Sequence, residues 1–193
     1  MDTKPLVKHF ANYSPLKEEE IQELEARLTE RIVKRRHFIL QAGEVCKHYT
    51  FVVEGCLKMY KVDAKGNEHN LQFAVEDGWI ADIGSFHSEE PSELYIDTLE
   101  QSTILQIAKP DLIYFYSNFP TFDRNFRVLV ENAFITLQKR VLHNISSTAE
   151  EKYLDFLKTY PHLINRISNV QIASFIGVTP EFLSKVRKNI SQR

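Results

Sequence analysis

Ser168-Asn169-Val170-Gln171 and Thr179-Pro180 mark two helix starts close together, and Gly177 lies between them. The first is a capping box, in which Ser168 and Gln171 satisfy each other's backbone donors. The second is an N-cap residue followed by proline at the first helical position. Apolar residues recur at Ile172, Ile176, Val178, Leu183 and Val186, and Ala173 is small where two helices would cross. Gly177 suits a tight turn at positive φ, which glycine adopts without steric penalty. Two short helices joined by a glycine turn form a helix-turn-helix.

That arrangement leaves Glu181, Ser184, Lys185 and Lys188 as neighbours on the outward face of the second helix. Lys185 can donate to guanine O6 and N7, Glu181 can accept from cytosine N4, and Ser184 can pair with either. Arg187, Lys188 and Arg193 suit phosphate contacts, which set register without reading sequence. With the capping Thr179, the expected DNA-binding residues are Thr179, Glu181, Ser184, Lys185, Arg187 and Lys188. The charge distribution agrees. From Lys139 to Arg193 there are nine basic residues against four acidic ones, whereas Gly66 to Ala108 holds nine acids and no Lys or Arg. This split joins an acidic module to one with an anionic partner.

Upstream, the hydrophobic period divides the chain. Ser14-Pro15 predicts a helix start, and Ile21, Leu24, Leu28 and Ile32 carry the helix to about Ile32. From His37 to Ala108 short strand-like runs alternate with turns such as Asp63 to Asn67 and Glu76-Asp77-Gly78, which implies a sandwich or small barrel. Pro110 opens a short helix and Pro120 a long one, through about Ile145. The long helix carries two apolar stripes: Phe122, Phe126, Leu129 and Ala133, and Val130, Phe134, Leu137 and Val141. One stripe satisfies a single domain. The second predicts a partner chain, and Phe122, Phe126, Leu129 and Ala133 are the expected dimer residues. Ser147 to Glu150 reads as a further capping box, so a boundary is expected within Asn144 to Ser147.

No apolar run reaches the length of a membrane helix, and the N-terminus has no h-region, so a cytoplasmic protein without membrane partners is expected. Cys46 and Cys56 read as small buried hydrophobes. His37, His48, His69 and His87 are scattered with no H-x-H pair, so no metal, cofactor or enzyme activity is expected. There is no P-loop, G-x-G-x-x-G or nucleophile elbow.

Over about Ser14 to Asn189 the chain resembles the CRP/FNR family of transcription regulators. The resemblance rests on Gly43-Glu44, Val53-Glu54-Gly55, Ile80-Ala81-Asp82-Ile83-Gly84-Ser85-Phe86, and Glu181-Phe182-Leu183-Ser184-Lys185, which is similar to an E-x-x-S-R reading motif with Lys for Arg. It implies an α+β protein: a cyclic-nucleotide-binding-like β-roll (double-stranded β-helix or jelly-roll) over residues 1–120, a dimerisation helix over 121–145, and an all-α helix-turn-helix domain over 146–193 without the usual wing. It further implies a homodimer that partners DNA and RNA polymerase and answers to an unknown small-molecule effector. The effector pocket is expected at Ile80, Ala81, Asp82, Ile83, Gly84, Ser92 and Glu93. The family's phosphate-binding Gly-Glu is here Ala81-Asp82, and Ser92 stands in place of its arginine. Lys65 and Lys109 are the nearest bases to Ser92 in sequence, so the expectation is a pocket that does not hold cyclic AMP. Arg124 or Arg127 would have to fold over it to replace the lost cation. The rival reading is a ligand-binding or scaffolding module without DNA binding.

Overall fold

The computed structural model describes residues Met1–Gln192, so Arg193, one of the expected phosphate contacts, lies outside the described residues. The chain divides into two compact units. One comprises Met1–Met59 with Gln72–Asn132, and the other comprises Tyr60–Leu71 with Ala133 onward. The division falls inside the long helix, earlier than the Asn144 to Ser147 segment read from the sequence.

In the first unit, α1 (Lys4–Ala11) and α2 (Glu18–Arg27) precede the strands. The Pro15 start and the Ile32 end expected for a single helix are both corrected. Lys17 is the N-cap, and Leu28 leaves the helix with extended backbone. Ile32 belongs to β1 (Thr29–Val33) and is 72% exposed. Helical spacing at Leu28 and Ile32 is overridden by antiparallel pairing of β1 with the distant β8 (Ser102–Ala108), a contact no local pattern reveals. The remaining strands are β2 (Phe38–Leu40), β3 (His48–Glu54), β4 (Leu57–Val62), β5 (Glu68–Ala74), β6 (Trp79–Ile80) and β7 (Tyr95–Thr98). They form two four-stranded sheets, ordered β1-β8-β3-β6 and β2-β7-β4-β5. This is the expected α+β β-roll.

Alternation sorts the side chains of β3. Tyr49 and Phe51 pack on aromatic neighbours, with Tyr49 against Phe86 and Phe126, and Phe51 against Trp79 and His9. Thr50 instead meets Gln106 of β8. Gly55 turns the chain at φ +111°, and a Cβ there would stand 2.2 Å from Ser102 Oγ, so the corner admits only glycine. Cys46 and Cys56 are both buried, as expected of small apolar side chains, and burial pushes the Cys46 thiol up.

A short α3 (Ile83–Ser88) follows β6, and α4 (Lys109–Asn118) leads into the long α5 (Pro120–Ser146). Phe122 and Phe126 are 0% and 1% exposed within their own unit, stacked on each other and packed against Phe10, Phe115 and Tyr49. They cannot face a partner chain. This corrects the choice of stripe: Ala133 is exposed but small, and the large exposed apolar residues of α5 are Ile135, Leu142 and the stripe Val130, Phe134, Leu137, Val141 and Ile145. In the second unit α6 (Ala149–Thr159) starts one residue later than expected, because Thr148 rather than Ser147 is the cap and Glu151 completes the box.

Candidate nucleic-acid interface and sensor pocket

The local signals around Gly177 form the two helices and the turn between them. Ser168 caps α7 (Asn169–Ile176) by accepting from Gln171 N–H, while the Gln171 side chain accepts from Ser168 N–H at 2.8 Å. Gly177 takes the left-handed conformation at φ 76°, and Val178 N–H closes onto Ala173 C=O at 3.0 Å. Thr179 caps α8 (Pro180–Ser191) by accepting from Phe182 N–H at 3.2 Å. Ile172, Ala173, Ile176, Leu183 and Val186 are all buried.

The outer face of α8 carries Glu181, Ser184, Lys185, Arg187 and Lys188, each exposed. Ser184 Oγ donates to Pro180 C=O at 2.9 Å, which leaves its lone pairs for an incoming donor. Arg187 bonds Asn169 on α7 and so braces the two helices as well as facing solvent. A contact without any sequence signal also holds α7. Ser174 Oγ donates to Glu68 C=O at 2.6 Å and accepts from Asn70 N–H at 2.9 Å. Asn70 Nδ2 donates to Gln171 C=O at 3.2 Å. The tip of the β4–β5 hairpin is thereby bonded to the first helix of the motif, within one compact unit.

The segment expected to form the effector pocket is internally tied. Ile80 and Ala81 are buried, while Ile83, Gly84 and Glu93 are exposed. Asp82 caps α3 by accepting from Ser85 N–H at 3.2 Å. Ser92 is buried, and its Oγ donates to Asp82 Oδ2 at 2.6 Å. Ser92 N–H donates to Glu44 C=O and Gly43 N–H to Ser92 C=O, both at 2.8 Å. Ser85 Oγ accepts from Cys46 N–H at 2.9 Å.

The cavity of the roll, about 440 Å³, lies against different residues, among them Arg31, Glu44, Lys47, His48, Thr50 and Gln106. None of the seven expected pocket residues lines it. Arg31 Nη1 donates to Gln106 Oε1 at 3.0 Å, and Gln106 Nε2 donates to Thr50 Oγ1 at 3.0 Å. Burial, aided by Arg31 and Lys47, pulls the His48 imidazole below its ordinary value. Counting bases by distance along the chain from Ser92 missed Arg31 and Lys47, because strand pairing brings them in from far away. Arg124 and Arg127 do not line this cavity, and Arg127 is paired with Asp123. Lys109 donates to His87 C=O at 2.9 Å and to Glu89 Oε1 at 2.7 Å.

Comparison with known proteins now bears on this geometry. Residues 30–119 match the family model of the cyclic nucleotide-binding domain. Three solved structures superpose over most of both chains. CLP of Xanthomonas campestris, described as a c-di-GMP responsive global regulator, has a TM-score of 0.74 at 14% identity, covering 91% of this chain and 92% of its own. FixK2 of Bradyrhizobium japonicum has a TM-score of 0.74 at 16% identity, covering 86% and 85%. A protein of Eubacterium rectale, described as a regulator of the crp/fnr family, has a TM-score of 0.72 at 15% identity, covering 95% and 88%. The chain has the fold of the CRP/FNR regulators. The resemblance read from the sequence stands, and with it the β-roll and the long helix. No curated protein matches the chain in sequence. Among the described residues no helix is long and apolar enough to cross a membrane, and no three His, Cys, Asp or Glu gather where they could hold a metal ion.

Proposed function

We propose that this chain is a CRP/FNR-like transcription regulator that binds DNA as a homodimer in the cytoplasm, with no catalytic step of its own. The observation that carries the reading is the sorting of α8. Leu183 and Val186 are buried, while Glu181, Ser184, Lys185 and Lys188 are exposed together. A helix N-terminal half presented in this way fits the major groove, where such side chains meet base edges. The segment around Asp82 and Ser92 is read as a sensor pocket that has lost cyclic-nucleotide binding, because its anion-binding arginine is replaced by a serine already bonded to a carboxylate. RNA polymerase is the further partner that the family resemblance brings.

Fluorescence polarisation with labelled genomic fragments, at several salt concentrations, tests the reading. The expected result is binding that weakens steeply with salt and prefers some fragments strongly over others. Absence of binding to any fragment would favour a ligand-binding or scaffolding module instead.

A further inference from the structure

The second compact unit contains a cavity of about 420 Å³ that the DNA-binding reading does not use. It is lined by the C-terminal part of α5, by α6 and by the end of α7. Lys139, Arg140, His143, Lys152 and Lys158 line it, against one carboxylate, Asp155. Asp155 Oδ2 sits 3.7 Å from His143 Nδ1, an atom that is buried and makes no hydrogen bond. Lys152 Nζ donates to Asn144 C=O at 3.1 Å. Among the described residues, no carboxylate stands within ion-pair distance of Lys139, Arg140 or Lys158.

Arg140 is the telling group. Its guanidinium is half-buried, lies 4.4 Å over the Phe175 ring and bonds the Leu71 carbonyl. Burial pulls its pKa down. A desolvated cation without a counter-charge is unfavourable, and an anion delivered to it would relieve that cost. The wall that adjoins Arg140 is aromatic. Phe156, Tyr160 and Phe175 pack with ring centroids 5.4–5.7 Å apart and line the same cavity. The volume falls within the roughly 300–1,000 Å³ of small-molecule sites.

We propose that this cavity binds a mononucleotide-like ligand, an aromatic ring system carrying a phosphate. The phosphate would meet Arg140, Lys139 and Lys158, and the ring would pack on the aromatic wall. Site and assembly are compatible. At 3.6 residues per turn, Lys139 and His143 project from the side of α5 opposite Phe134 and Val141, with Arg140 at the margin between that side and the stripe, so pairing along the exposed stripe leaves the cavity open. A ligand here touches α5, α6 and the first helix of the reading motif at once, so its occupancy would bear on how that motif is held.

The test is calorimetry on the full chain at physiological ionic strength. Adenosine and guanosine monophosphate are the probes, with adenosine and inorganic phosphate as controls. Saturable binding of at least one nucleotide is expected, with both controls weaker by about tenfold or more. Lys139 and Lys158 are exposed, so the K139A/K158A double variant should keep its melting temperature and lose nucleotide affinity by about tenfold. Four results would overturn the proposal: no heat with either nucleotide, equal affinity for phosphate alone, undiminished affinity in K139A/K158A, which would place the site elsewhere, or competitive displacement by duplex DNA, which would assign these lysines to the DNA backbone.

Discussion

The Ser92 hydroxyl donates to the Asp82 carboxylate across 2.6 Å, at the two positions where the CRP/FNR resemblance would put the anion-binding arginine and the glutamate. The bond is buried at Ser92 and links the segment before β7 to the cap of α3. A hydroxyl given to a carboxylate is no donor to a phosphate, and Asp82 itself repels one. Cyclic AMP and cyclic GMP are therefore expected to give no heat of binding to the roll. The measurement belongs in K139A/K158A protein, so that the roll is read alone. A micromolar Kd there would show that Arg31 or Lys47 supplies the missing cation. Ser92→Ala should lower unfolding stability by about 1.5–3 kcal/mol, the range for a bond to a charged acceptor. Denaturation midpoints equal to those of the unmodified protein would show the bond to be inconsequential.

On α8, Lys185 and Lys188 are expected to divide labour. Lys185 stands one turn in from the helix start, beside Ser184 and Glu181, where side chains reach base edges. Lys185→Ala should cost about 1–3 kcal/mol on a specific site and blur preference at one base pair. Lys188→Ala should weaken all sequences alike and flatten the salt dependence by about one unit of slope. Both variants losing specific and random DNA in the same proportion would refute the assignment.

What was legible in the sequence was what local chemistry decides. The motif around Gly177 rests on caps and a turn contained in its own residues, and each forms as read. The strands between Phe51 and Ala108 were bracketed by turn residues in the same way. Long-range pairing was not legible. Ile32 continued a helical period but is claimed by β8, and Arg31 enters the roll cavity through Gln106, far along the chain. The eight-residue α1 has two anchors, Leu6 and Phe10, too few for a period to declare itself, although both are 0% exposed. The dimer stripe was misassigned because periodicity gives the number of apolar faces on α5 but not which one its own domain covers.

Acid should destabilise the first unit through His9. Its ring packs against Phe51 and Tyr13, and Nε2 is buried without a hydrogen bond. Burial holds its pKa below 6.5, outweighing the raising effect of Asp77. Below about pH 6.5 the unfolded chain therefore takes up a proton that the folded chain resists. Stability is full above that value and falls as the pH drops towards the folded pKa. His48 is shifted in the same direction and should add to the slope. His9→Gln removes one titrating group, so its melting temperature should fall less between about pH 7.5 and about pH 5 than that of the unmodified protein. Parallel pH profiles would mean that His9 is not part of the acid sensitivity.

The last expectation concerns assembly through α5. Val130, Phe134, Leu137, Val141 and Ile145 follow steps of three and four residues and are 39%, 58%, 53%, 50% and 81% exposed. Isolated exposed apolar residues are ordinary, but a continuous stripe of this length along one helix marks a surface that another chain covers. The other apolar side of α5 is already committed, since Phe122 and Phe126 are within the core of their own unit. A parallel pairing of two such helices would also set two copies of α8 side by side, as half-site recognition requires. Replacing Phe134 and Leu137 together by Glu should leave the protomer folded, because neither side chain is buried in it. The variant should run as a single chain by light scattering and bind operator DNA poorly, while the unmodified protein runs as two chains. A one-chain mass for the unmodified protein, or a dimer that survives both substitutions, would rule out this stripe as the interface.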